Sequence, residues 1–226
     1  MKIFFIIKNK SERVKNKNFI KFEKIELYKK VLYRFKKFKV FVDTDSSRII
    51  KESKKDKNLS HCHVYQREKK FIDMENSSTT SPTPLMIKFF LENFIKNEKE
   101  IVVTSHVTSP FLTIKTLNKA ILKMKDFDSV SSCIEQQQFS YLKKNKFFSP
   151  INFNNKIIQK TQSLPSILHL IGAFFIIKKN IFLNNGLQRI SKKNYFYPLD
   201  FPENLDIDDY SDLDIALRFN KVRKFF

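Results

Sequence analysis

The sequence predicts an α/β fold with a mostly parallel sheet, and three observations lead there. Short apolar runs rich in β-branched and aromatic residues recur along the chain. Each is followed by a stretch with helical spacing, the pattern of repeated βα units. The chain has 226 residues, 42% hydrophobic, with 25 Phe and 7 Tyr, enough apolar side chain to bury a core and too much for a disordered chain. At about 150 residues per domain, one domain over residues 1–226 is the simplest division.

Ile3–Ile7 is the first expected strand, five apolar residues long and too short for a signal-peptide core. Helical spacing follows over Glu26–Lys37, and Lys39–Val42 is the second strand. His63–Tyr65 is the third; His61-Cys62-His63 fits ordinary strand alternation, since a zinc site needs further ligands. Asn76–Pro84, rich in Ser, Thr and Pro, is expected to be a loop, with Pro82 and Pro84 leading into a helix over Leu85–Lys96. Ile101–Thr104, the helix Thr113–Lys125 and Ser129–Cys133 continue the alternation. Ile134–Pro165 breaks it and is expected to leave the sheet as an irregular or hairpin excursion. Ala173–Ile177 is the last expected strand, inside the eight-residue run Leu170–Ile177, far short of the roughly 20 residues of a membrane helix. Asp209–Phe219 is the final helix. Cys62 and Cys133 lie far apart without CxxC spacing, so neither a disulfide framework nor a four-cysteine zinc site is indicated. The expectation is a soluble, cytoplasmic protein without membrane insertion.

Ligands of such sheets sit outside the carboxyl ends of the strands, which directs attention to residues 8–18, 43–48, 105–111 and 198–208. Charge sharpens that choice. Forty-three Lys and Arg against 23 Asp and Glu give a net charge of +20, which favours a polyanionic or phosphate-bearing ligand. General enrichment in Lys, Asn, Ile and Phe is the competing explanation, a solvated basic surface. The imbalance is uneven, however. Met1–Val40 holds fourteen basic residues against three Glu, whereas Leu199–Asp214 holds seven carboxylates and no base. A fold that brings the two together would set a phosphate cradle against a metal site, as phosphoryl and nucleotidyl transfer require.

Three constellations carry this chemistry. Lys8–Asn18 offers Lys8, Ser11, Arg13, Lys17 and Asn18 as donors on one turn. Asp206 and Asp208, two apart on an extended segment, face the same side and suit one hard divalent cation. Asp209 and Asp212 stand where helix capping explains them fully. The strand end Val103–Leu112 supplies His106, Thr108 and Ser109, hydroxyls and an imidazole suited to a polyhydroxylated or carboxylated substrate; for His106 the plainer alternative is a satisfied strand-end histidine.

Five segments in order resemble the acylneuraminate cytidylyltransferases, also called CMP-sialic acid synthetases. Ser11-Glu-Arg-Val-Lys-Asn-Lys-Asn18 is similar to the family's nucleotide loop, Phe41-Val-Asp-Thr-Asp-Ser46 to its second strand end, and His106-Val-Thr-Ser-Pro-Phe-Leu112 to its HVTSP motif. Thr161-Gln-Ser-Leu-Pro165 resembles TQDLP and Asp206-Ile-Asp-Asp-Tyr-Ser-Asp-Leu213 resembles DIDxxxDL. The resemblance implies the three-layer, Rossmann-like nucleotide-diphospho-sugar transferase fold. It implies that CTP and an acidic nine-carbon sugar of the nonulosonic type give a CMP-sugar and pyrophosphate for surface polysaccharide or glycan synthesis. It further implies Mg²⁺ on Asp206 and Asp208, catalytic roles for Arg13 and Lys17, and Lys8, Ser11, Asn18, Arg67 and Ser78 around the nucleotide. His106, Thr108, Ser109 and Lys160 would line the sugar, and the excursion, with Phe139, Tyr141, Phe147 and Phe148, would serve a homodimer. Where relatives open the loop with Arg and two glycines, this chain has Lys8, Asn9 and Lys10; Ile171 and Phe175 replace a common Asn and Tyr. Two other readings compete: a catalytically decayed relative that binds nucleotide or a partner, and a basic nucleic-acid-binding module. The second leaves Asp206 and Asp208 unexplained, so nucleic acid is not expected as a partner.

Overall fold

In the computed structural model, which describes residues 1–77, 79–157 and 159–222, the amino-terminal apolar run forms strand β1 (Lys2–Ile7). Its side chains alternate between two apolar layers. Ile3, Phe5 and Ile7 belong to one buried cluster and Phe4 to another on the opposite face. A strand covered on both faces needs apolar residues at every position, which is why it reads as a continuous run.

The chain then continues through the short strands β2 (Lys21–Phe22) and β3 (Ile25–Glu26), α1 (Leu27–Arg34), β4 (Lys39–Thr44), α2 (Ser47–Ser53), β5 (Cys62–Gln66), α3 (Lys69–Ser77) and α4 (Thr83–Phe94). Next come β6 (Ile101–Ser105), α5 (Ile114–Leu122), β7 (Ser129–Gln136), β8 (Tyr141–Lys144), β9 (Phe147–Pro150), β10 (Ile167–Lys178), α6 (Lys179–Asn184), β11 (Asn194–Pro198) and α7 (Tyr210–Val222). Side chains cap the starts of α2, α5 and α7, the last through Asp209 Oδ1, which accepts from Asp212 N. Ser46 Oγ accepts from Ile49 N before α2, and Thr113 Oγ1 accepts from Thr116 N before α5, each satisfying a free amide of a first turn.

Seven strands form the central sheet in the order β11-β7-β10-β6-β1-β4-β5. It is mostly parallel: β1 with β4 and β6, β4 with β5, and β7 with β11. β10 runs antiparallel to both of its neighbours. Helices α1, α2, α5 and α7 pack on one face, where Leu32, Ile49, Leu117 and Ala216 meet the core. Helices α4 and α6 cover the other through Ile87, Phe90, Leu91 and Phe182, with Phe4 and Phe90 stacked at 4.3 Å between ring centroids. Three layers result. β4 and β5 are added on one side of β1 and β6 on the other, so the connectivity reverses between β1 and β6 and opens a crevice at their carboxyl ends.

Every expected strand and helix is present, with shifted ends. The helix expected from Leu85 begins at Thr83, and the loop expected over Asn76–Pro84 loses its first residues to α3. The excursion after β7 is the hairpin β8–β9, a separate two-stranded sheet. Helices α2, α3 and α6 and strands β2, β3 and β11 were not expected. In α6 only Lys178-Lys179-Asn180 separate the run Ile181-Phe182-Leu183 from the apolar end of β10, and six residues are too few to show a helical period. Among the described residues no helix is long and apolar enough to cross a membrane.

Candidate active site

A cavity of about 510 Å³ occupies the crevice. One wall is the loop after β1, with Lys8, Lys10, Ser11, Glu12, Arg13, Lys17 and Asn18. The others come from the end of β6 (His106 to Thr108), from Leu170–Gly172 of β10, and from Asp206 and Asp208.

The basic loop has a fixed shape. Asn18, nearly buried, donates from Nδ2 to the Lys8 carbonyl at 2.7 Å and closes the loop on itself. The chain turns on Asn16, whose φ is 54°, a left-handed conformation Asn tolerates better than most residues. An asparagine here makes a tight turn in a loop without glycine. Asn9 N donates to Asp45 Oδ1 at 2.6 Å, and Lys15 N donates to Tyr210 Oη at 3.3 Å.

The acidic segment meets this loop directly. Arg13 Nη2 lies 2.7 Å from Asp208 Oδ1, and Lys17 Nζ donates to the Ile207 carbonyl at 2.5 Å with Asp208 Oδ1 at 3.8 Å. Burial draws the Lys17 pKa down, while Asp208 and Asp206 oppose that shift. Ile207 is fully buried in the core, so alternation turns the carboxylates on either side of it toward the cavity. Two anchors hold the segment. Ile207 N donates to the Thr108 carbonyl. At the start of α7, Asp212 Oδ2 accepts from Asp208 N and Asp209 N while Asp209 Oδ1 accepts from Asp212 N.

Asp206 Oδ1 is buried without a hydrogen-bond partner. A desolvated carboxylate oxygen left unpaired is costly, and a cation would satisfy it. Among the described residues no group of three or more His, Cys, Asp or Glu is placed to hold a metal by itself. That suits Mg²⁺, which takes one or two carboxylates and completes its shell with water and substrate phosphates. The residues present therefore fit the ion. Next to them, burial holds the His106 imidazole below its usual range, against the opposing pull of Asp206.

Gly172, one of only two glycines in the chain, makes this packing possible. A methyl group there would lie 2.3 Å from His106 Nδ1 and 3.1 Å from Asp206 Oδ2. The β10–β7 register shifts between Leu170 and Phe175, which carries the backbone of this stretch toward the cavity.

The cavity therefore unites Lys8, Ser11, Arg13, Lys17, Asn18, His106, Thr108, Asp206 and Asp208. Other expected residues lie elsewhere. Ser109 is buried behind the lining. Lys160 is exposed, ahead of the turn Thr161–Ser163, and does not reach the cavity. Arg67 is buried with Nε 2.6 Å from Asp43 Oδ1 and Nη1 2.7 Å from Glu75 Oε2. Among the described residues it connects to the cavity through Glu75, which also pairs with Lys8 at 3.2 Å. Ser78 lies outside the described residues. Sequence reasoning missed Gly172 and Glu75. The rarity of glycine here was a signal for the first, and nothing local marked the second.

The cytidylyltransferase family profile matches residues 7–208. No curated protein sequence matches the chain. Among solved structures, the chain is similar to a 4-diphosphocytidyl-2C-methyl-D-erythritol synthase, with a TM-score of 0.66 and 10% identity over 96% of this chain and 97% of that one. It is similar to a CMP:2-keto-3-deoxy-manno-octonic acid synthetase complexed with CTP, with a TM-score of 0.67 and 11% identity over 98% of each. A 4-diphosphocytidyl-2C-methyl-D-erythritol synthase from Anaerococcus prevotii gives 0.63 and 13% over 97% and 96%. At these identities the likeness is one of fold.

Proposed function

The chain belongs to the cytidylyltransferase family, and from that premise we propose that it activates a sialic-type nonulosonic acid with CTP, giving the CMP-sugar and pyrophosphate for surface polysaccharide or glycan synthesis. The observation that carries this reading is the meeting of the basic loop with the Asp206–Asp208 pair across one cavity. A structural neighbour complexed with CTP supports the nucleotide, and its substrate, an octonic acid, is itself an acidic sugar.

In this reading the anomeric hydroxyl attacks the α-phosphorus in line. The bond from that phosphorus to the β-phosphate oxygen breaks, and the hydroxyl proton passes to water. Arg13 and Lys17 offset the charge gathering on the departing pyrophosphate, so most of the catalysis is positioning and electrostatics. Asp206 and Asp208 would hold Mg²⁺, which when bound neutralises and orients the triphosphate. Lys8 and Ser11 border the nucleotide side, with Asn18 fixing their loop. His106 and Thr108 border the sugar side, the imidazole neutral and able to hydrogen-bond a hydroxyl. The proposal includes a homodimer. Hairpin β8–β9 stands apart from the main sheet and leaves Leu142, Phe147 and Phe148 exposed, with Phe147 78% accessible, an apolar patch of the kind a second copy covers. Light scattering across a concentration series tests it, and a monomer throughout would refute it.

The decisive assay is pyrophosphate release with Mg²⁺ from CTP, ATP, GTP or UTP against a panel of nonulosonic acids, 2-keto-3-deoxy-manno-octonic acid and methylerythritol phosphate. Release with CTP and a nonulosonic acid is expected. Release only with another acceptor would overturn the sugar assignment, and CTP binding without any turnover would favour the decayed relative.

A further inference from the structure

The two ends of the central sheet differ in charge as well as in role. The cavity lies at the carboxyl ends of the strands. At the opposite end, residues 35–39, 54–61, 95–100, 123–128 and 185–193 lead into β4, β5, β6, β7 and β11. These five strands run in one direction, so the five connections lie on one side of the molecule. Together they hold thirteen Lys and Arg against five Asp and Glu, a net of +8 out of the chain's +20 in 34 of its 226 residues. A uniform enrichment in lysine does not concentrate charge in this way.

Eleven of these lysines are exposed, and among the described residues none of the eleven is in an ion pair. Three of the five acids beside them are engaged elsewhere. Glu98 pairs with Lys179 at 2.7 Å, Glu100 with the amino terminus at 3.1 Å and with Lys2 at 3.6 Å, and Asp56 accepts from the Tyr33 hydroxyl. The carboxyl ends of α1, α2, α4 and α5 also reach this end of the sheet, and at about half a negative charge each they offset roughly two of the eleven cations. The rest face solvent unbalanced.

The chemistry of this surface narrows the partner. Its exposed cations are lysines, point charges suited to many loosely placed phosphates and not to a bidentate fork. No Phe or Tyr on the five connections is exposed, so bases have no ring on which to stack. Leu122, which ends α5 immediately before Lys123, is 60% exposed, and Met1 is exposed at the start of β1. Apolar side chains amid lysines suit the boundary between headgroups and acyl chains. Seven strands spaced about 4.8 Å apart give a surface roughly 30 Å long, enough to lie across several headgroups.

We propose that the amino-terminal end of the sheet docks peripherally on an anionic phospholipid surface, with headgroup phosphates against its lysines. The cavity then faces solvent roughly 20 Å away, the length of the six-residue strand β1. This holds whichever acceptor the enzyme uses.

The test is co-sedimentation with phosphatidylcholine vesicles containing phosphatidylglycerol. Pure phosphatidylcholine vesicles, duplex DNA and single-stranded RNA, the nucleic acids at equal phosphate concentration, are the comparisons. Wild type should bind the anionic vesicles, release them as salt rises, and ignore the neutral ones. Two triple variants, Lys36→Gln/Lys37→Gln/Lys55→Gln and Lys125→Gln/Lys192→Gln/Lys193→Gln, each remove three exposed charges from this surface. Each should bind anionic vesicles roughly 100-fold more weakly, with unaltered thermal unfolding. Lys21→Gln/Lys24→Gln/Lys115→Gln removes the same charge from exposed positions elsewhere and should bind as wild type does. Failure of wild type to bind anionic vesicles would overturn the proposal. So would an equal loss in the last variant, which would show that net charge alone drives binding. Tighter binding to DNA or RNA than to the vesicles would overturn it in favour of a nucleic-acid partner.

Discussion

Replacing Gly172 by alanine is the sharpest test of how the site is assembled. The φ of Gly172 lies outside the left-handed region, so the constraint is space and not backbone conformation. The added carbon would lie 2.3 Å from His106 Nδ1 and 2.9 Å from Cε1, where ordinary contact begins near 3.4 Å. The imidazole must therefore retreat by roughly 1 Å, a displacement that typically costs about 100-fold in rate at a reacting centre. Overpacking at a buried contact should also lower stability by about 1–3 kcal/mol. Steady-state pyrophosphate release and thermal unfolding read the two effects separately. The double variant Gly172→Ala/His106→Ala removes the clashing ring and should regain most of the lost stability without regaining rate. Turnover within threefold of wild type, with an unchanged Tm, would show that the wall yields freely and would refute the packing argument.

Asp208→Ala should abolish Mg²⁺-dependent turnover with little change in Tm, because Asp208 is half exposed and exposed ion pairs contribute about 0–1 kcal/mol; undiminished turnover would remove Asp208 from the metal site. Lys17→Ala removes an ammonium that is only 12% accessible and faces the cavity. Calorimetry should show CTP affinity weakened by about tenfold or more with the KM for the sugar unchanged, and an unaltered CTP isotherm would contradict the loop's role. Glu52 gives a prediction in pH. Burial alone would push its carboxyl up, but Lys29, Tyr28 and Arg48 hydrogen-bond it and hold it down at about 2, below the ordinary 4.5. A depressed carboxyl contributes stability that is complete above pH 4.5 and lost as pH falls toward 2. Urea unfolding of Glu52→Gln should therefore show a flatter acid limb across that window, and a limb parallel to wild type would refute it.

The sequence revealed the strands because each apolar run is short and bounded, most plainly in β1, whose covered faces leave few polar positions to blur it; β7 is the exception, with Ser129, Ser131 and Ser132 fully buried. It concealed β11, where Asn-Tyr-Phe-Tyr-Pro pairs with β7 only along one edge and carries no β-branched residue to mark it. The direction of β10 was also hidden, since an apolar run looks the same read either way along the sheet. Within the site, the donor-rich loop and the Asp206–Asp208 spacing could be read because each lies within one segment. Arg67 and Lys160 were assigned by resemblance alone. The fold buries the first under Asp43 and Glu75 and leaves the second on the surface.

By itself, then, the sequence determined what is local: the alternation of elements, the donor-rich turn after β1, the shared facing of two carboxylates around a buried isoleucine, and the family to which these segments point. Tertiary structure decided which of these groups meet. Arg13 and Asp208 are 195 residues apart, yet 2.7 Å separates their side chains. That contact exists because the sheet reverses its order between β1 and β6 and opens a crevice where the loop and the acidic segment converge. Gly172 against His106 is likewise a product of strand pairing between distant segments. Periodicity records which face a side chain takes, whereas the identity of its neighbour depends on which strands pair, a choice made by burial summed over the whole chain.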